Sequence, residues 1–151
     1  TSNSFTLSNT ISGTGSLTQS GSGTVTISGT NTYTGVTTVN SGVLSINSIG
    51  NSGTNTALGN SSAAINLGAG TLQYTGTGHS SARAITLTAN GGTIDASGSG
   101  ALTLSGGVTG TFNLVLTGTS TGANTQSGVI GIGTGTVTKS GSGTWTLGNA
   151  A

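Results

Sequence analysis

Laid over itself with an offset of 120 residues, the chain spells the same words twice. Gly133-Thr134-Gly135 falls on Gly13-Thr14-Gly15, and Ser140 to Thr144 falls on Ser20 to Thr24. Trp145 then lies on Val25 and Leu147 on Ile27, so residues 13–28 recur at 133–148. A sandwich or a closed barrel has no reason to restart its own sequence. A solenoid does, because each turn of chain contacts only the turns above and below it.

The unit of which the other segments are looser variants reads GSGTVTISGTNTYTGVTTVNSGVLSI, from Gly21 to Ile46. Val25 and Ile27 alternate with Thr24, Thr26 and Ser28; Thr37 and Val39 alternate with Thr38 and Asn40; Leu44 and Ile46 flank Ser45. Period two puts each apolar set on one face of a short strand. Gly29, Gly35, Gly42, Asn31 and Asn40 sit between the runs, and these residue types accept tight corners. The same grammar predicts strands around Phe5, Leu17, Ile65, Leu72, Ile85, Ile94, Leu102, Leu114 and Leu147. Residues 47–60 are too rich in Gly, Ser and Asn for a strand and are expected to form an excursion at one corner. No stretch keeps helical spacing for three turns, so the expectation is all-β, a single solenoid segment over residues 1–151. Three strands and three corners take roughly 24 residues, which gives about six coils and a length of about 30 Å. The predicted inward column is Val25, Ile27, Val39, Leu44, Ile46, Leu72, Leu102, Leu104, Leu114 and Leu147, with Thr24, Thr26 and Ser45 outside.

Glycine, threonine, serine and asparagine fill 98 of the 151 positions, and the charged side chains are only Arg83, Asp95 and Lys139. Low charge with many β-branched residues argues for order, not for a disordered polar chain. Proline and cysteine are both absent. That suits a backbone whose N–H groups enter ladders, and it removes disulfides and thiolate metal sites. A single carboxylate side chain supplies neither an acid–base pair nor the several oxygens a calcium ion requires. Two cationic side chains release almost no counterions from nucleic acid, and Tyr33, Tyr74 and Trp145 are too scattered to form a stacking platform. No run reaches the ~20 apolar residues that cross a bilayer. The expectation is therefore no enzymatic activity, no cofactor, no metal, no nucleic-acid partner and no membrane insertion by this segment. A Ser-His-Asp set could be drawn from His79 and Asp95, but with 23 serines in the chain such a coincidence carries little weight.

The Gly21–Ile46 unit resembles the autotransporter-associated β-strand repeat of bacterial surface proteins, whose pattern is GxGTLTLSGxNTYTGxTTVxxGxL. The likeness is specific over residues 17–46 and returns over 133–148, with Val36 standing where the family usually has glycine. The resemblance implies a right-handed parallel β-helix in an extracellular, cell-surface passenger, working as an adhesive fibre or stalk. Neither end carries a charged or proline-bearing cap, and the second copy stops within the motif. The expected partner is thus more of the same repeat, either along one long chain or by copies stacking into a filament, with Trp145 and Leu147 extending the column of Val25 and Ile27.

One other pattern suggests a binding surface. Thr24-Val25-Thr26, Thr86-Leu87-Thr88, Thr136-Val137-Thr138 and Thr144-Trp145-Thr146 are TxT triplets whose threonines point outward when the middle residue points in. Stacked on one flat face they would offer a hydroxyl grid to ice or a polysaccharide. The plainer reading is that threonine suits an exposed strand.

Overall fold

The computed structural model describes residues 3–148 and contains seventeen short strands and no helix among them. In chain order these are β1 Phe5–Leu7, β2 Leu17–Gln19, β3 Thr24–Ile27, β4 Thr37–Val39, β5 Val43–Ile46, β6 Ile65–Leu67, β7 Thr71–Tyr74, β8 His79–Ser81, β9 Ile85–Leu87, β10 Gly92–Ala96, β11 Leu102–Leu104, β12 Val108–Thr109, β13 Leu114–Thr117, β14 Asn124–Gln126, β15 Ile130–Gly131, β16 Val137–Lys139 and β17 Trp145–Leu147. They stack in parallel into three sheets: a long one (β1-β3-β5-β7-β10-β13-β16), a middle one (β2-β4-β6-β9-β12-β15) and a short one (β8-β11-β14-β17). The chain is a parallel β-solenoid of about six coils.

Strands of three or four residues cannot fold alone; each is held because like side chains stack on like down the axis. Val25, Leu44, Leu72, Ile94 and Leu116 are successive register partners in the long sheet, and all are buried. Val39 lies opposite Leu67, and Leu67 opposite Leu87, in the middle sheet. The buried set also takes in Ile27, Ile46, Leu102, Leu104 and Leu114. Leu147 is in register with the buried Gln126 but is 51% exposed; it belongs to the last described coil, and no described strand lies over it. Ser45, expected outside, is only 5% exposed. It lies between Thr26 and Gln73 in its outward row, and a side chain that short is recessed between longer neighbours.

Coil length is less uniform than the sequence suggests. Register partners in the long sheet are 20 residues apart at Phe5 and Val25, 19 at Val25 and Leu44, and 22 at Leu72 and Ile94. The 28-residue step from Leu44 to Leu72 contains the excursion. The first coils are short because they have two strands instead of three: the short sheet begins only at β8.

The same fact corrects the column expected for Trp145 and Leu147. Val25 and Ile27 belong to the long sheet, whereas Trp145 and Leu147 belong to the short one. The 120-residue repeat overshoots a whole number of coils, and its second copy starts one face further round.

Candidate functional site

The densest cluster of buried polar chemistry gathers where two-strand coils give way to three-strand coils. At the NTYTG corner, Asn31 is fully buried. Its Oδ1 accepts from the Ile11 N–H at 2.7 Å, and its Nδ2 donates to the Ala57 carbonyl at 2.8 Å, so one amide ties together three coils. Tyr33 is 1% exposed, and its hydroxyl shares a 2.8 Å hydrogen bond with that of the buried Thr37. Glycine is required around it. A Cβ on Gly35 would lie 2.2 Å from the Gly15 carbonyl oxygen, and Gly59 sits at φ +63° directly on the Tyr33 carbonyl and ring.

Arg83 enters this corner from the coil above and is 5% exposed. Its Nη1 donates to the Leu58 carbonyl at 3.0 Å and its Nη2 to the Ala63 carbonyl at 3.1 Å, while Nε has no partner. Burial lowers the Arg83 pKa from its ordinary value, and the Tyr33 phenol opposes that shift. Burial likewise raises Tyr33, against the Thr37 hydrogen bond and the guanidinium. Among the described residues no carboxylate lies beside Arg83, which acts as a donor to the Leu58 and Ala63 carbonyls.

The candidate catalytic groups are separate. His79 shares a 2.7 Å hydrogen bond between Nδ1 and the Tyr74 hydroxyl, which also accepts from the Gly78 N–H at 2.8 Å; the two rings meet edge to face with centroids 5.8 Å apart. Burial raises the Tyr74 pKa. Asp95 instead accepts from Gln73 Nε2 at 3.0 Å and from the Ser97 hydroxyl. Among the described residues neither bonds the other, and no serine completes a relay between them. A cavity of about 330 Å3 lies at the first coil, lined by Phe5, Leu7, Leu17, Val25 and Leu44 with Gln19. It is the mouth of the apolar interior, with no titratable lining.

The TxT triplets are dispersed. Thr24 and Thr26 belong to β3, and Thr138 with the adjoining Thr136 to β16, both in the long sheet; Thr86 and neighbouring Thr88 lie at β9 in the middle sheet, and Thr146 with the adjoining Thr144 at β17 in the short one. In the long sheet the row containing Thr26 continues through Ser45, Gln73 and Asp95, and the row containing Thr24 continues through Val43, Thr71, Thr93 and Val115. Among the described residues no face carries a continuous double row of threonines.

Comparison with known proteins matches the sequence that builds this corner to one repeat family. The passenger-associated-transport-repeat family matches residues 17–46 and 137–151. Two stretches of this chain are passenger-associated-transport repeats. The first runs from β2 through the Asn31–Tyr33 corner to the end of β5; the second begins at β16, and its last three residues lie outside those described. The Adhesin BmaC autotransporter of Brucella suis biovar 1 (strain 1330) is 38% identical over 127 residues, covering 75% of this chain and 4% of that protein. The chain thus spans a small fraction of the relative it matches. No solved structure matches it.

Sequence reasoning placed the repeat but missed the polar residues that build it. Asn31, Thr37, Arg83, Asn124 and Gln126 are all buried. The available signal was position: Thr37 and Gln126 occupy places where alternation calls for an apolar residue, and Arg83 is one of three charges in the chain.

Proposed function

We propose that this chain is a rigid stalk segment of a secreted, surface-displayed, adhesin-like passenger, without catalytic activity of its own. The observation that carries the reading is the unbroken parallel ladder through about six coils, in which the buried polar side chains are bonded chiefly to backbone carbonyls and to one another. A side chain committed to a corner is not free to bind a substrate. The matched repeat and the named adhesin support placement outside the cell. We further propose that the stalk lengthens by covalent continuation of the repeat. The second matched repeat, at residues 137–151, supports continuation of the repeat along one chain.

The test is to excise this segment from the parent passenger on the cell surface. Six coils at ~4.8 Å correspond to a fibre shortened by about 30 Å, with export and end-of-fibre adhesion retained. A fibre of unchanged length, or turnover of glycan, ester or peptide substrates by the purified segment, overturns the reading.

A further inference from the structure

The short sheet starts later than its neighbours, and the first strand of any sheet offers an unpaired edge to other chains. β8 pairs with β11 on one side only. On its other side lies the 47–60 excursion, in the place a strand would take. The Ala82 N–H, one residue past β8, donates to Asn51 Oδ1 at 2.7 Å, a side-chain oxygen standing where a strand would present a carbonyl. The Ser81 hydroxyl donates to the Gly50 carbonyl at 2.7 Å.

The excursion is seated firmly from below. The Asn31 N–H donates to the Thr56 carbonyl, and the Asn60 N–H to the Tyr33 carbonyl, each at 3.0 Å. Ile49, Ala57 and Leu58 are buried in the common core. Residues 51–55 are exposed while 56–59 are buried, so one half of the insertion packs and the other forms a tip. From above, the Arg83 fork holds the Leu58 and Ala63 carbonyls. Leaving a guanidinium buried with no carboxylate is costly, and the carbonyls of an irregular segment supply the acceptors that offset the cost.

We propose that the 47–60 excursion is an internal cap that begins the third sheet, that Arg83 and Asn51 are its positioning residues, and that the edge it covers would otherwise pair with a second copy of this chain. A Gly-, Ser- and Asn-rich segment suits the task, because it satisfies the edge through side chains without becoming a strand that passes the exposed ladder on.

The test uses the intact chain as wild type, Arg83→Met and Asn51→Ala, each also carrying Ser80→Cys, an exposed position of β8 in a chain without cysteine. Amide exchange is read at Ala82 and Asn60, with Val115 in β13 as internal reference. Both variants are expected to exchange about tenfold faster at Ala82 and Asn60 with Val115 unchanged, and their introduced thiols to form intermolecular disulfides at concentrations where the wild-type background does not. Unchanged exchange at Ala82 and Asn60 removes the positioning role of the mutated residue. Faster exchange without cross-linking overturns the edge as an interface for a second copy. If Arg83→Met fails to fold, Asn51→Ala carries both readouts, since it deletes a single acceptor on an exposed residue.

Discussion

Gln19, Gln126 and Lys139 each stand in a Thr-x-Ser-Gly tetrapeptide at the end of a strand; the two glutamines are buried, and Lys139, on the last described coil, is exposed. Gln19 Nε2 donates to the Gly21 and Gly23 carbonyls, both at 3.0 Å; Gln126 Nε2 donates to Gly106 at 2.8 Å and Gly128 at 3.1 Å; Lys139 Nζ donates to Ser140 at 2.7 Å and Gly141 at 2.8 Å. What the corner requires is a donor, and an amide or an ammonium meets the requirement. Gln19→Lys is therefore expected to stay within about 1 kcal/mol of wild type, and Gln19→Leu to lose about 2 kcal/mol because two side-chain hydrogen bonds are lost, although the Gly21 and Gly23 carbonyls keep the Ser41 hydroxyl and the Val43 N–H as donors. Gln19→Glu, which aims a carboxylate at those same oxygens, should lose most. Urea melts rank the three, and equal losses for Leu and Lys would dismiss the donor requirement. The two buried tyrosines make a second prediction. An unfolded phenol ionises at about pH 10, and burial holds Tyr33 and Tyr74 protonated to higher pH. Their stabilisation is thus intact below that value and drains away as pH rises through the folded pKa values. Tyr33→Phe combined with Tyr74→Phe should flatten the alkaline limb of the stability curve; an identical limb in both proteins would place its cause elsewhere.

At the scale of elements, register decides what the fold tolerates. Ile94 lies opposite Leu116 and Thr93 opposite Val115, so one coil here is 22 residues. Deleting residues 94–115 joins Thr93 to Leu116 with every face preserved, and the shortened chain is expected to melt cooperatively within a few degrees of wild type. Deleting residues 94–104 removes half a coil and should unfold everything above it, as read by circular dichroism and proteolysis. Alternation explains why so much of this level was legible: at Val25, Ile27, Leu44 and Ile46 the period-two pattern states which side chains point inward. It does not say which sheet a strand joins. That depends on how many residues separate stacked positions, and the 19- and 20-residue steps of the first coils look the same in sequence as part of a longer coil. The excursion was visible as a break in the grammar, but its work was not, since nothing local links Arg83 to carbonyls 20 and 25 residues earlier.

For the whole molecule, the consequence lies in the mismatch between repeat and coil. β2 lies in the middle sheet and its repeat equivalent, β16, in the long sheet; β3 lies in the long sheet and its equivalent, β17, in the short sheet. The chain visits the faces in the order long, short, middle, so both pairs advance by one face after five complete coils. A 120-residue repeat is thus five and a third coils. Equivalent features of the repeat recur a third of a turn round the axis and about 26 Å further along it, at ~4.8 Å per coil. In a tandem of whole repeats the exposed tip at residues 51–55 would be carried round in the same way. In a tandem of three copies of residues 17–136, each carrying a small tag after Gly53, the tags are expected on three successive faces, with a fourth copy realigned to the first. Electron microscopy of tag-bound particles reads this directly. Tags lined along one side would show that the repeat resets its phase at each junction, and the rotation between β3 and β17 would then belong to this chain alone. If the rotation holds, a stalk of such repeats presents the same tip around its whole circumference, so that no orientation about its long axis hides every copy from a facing surface.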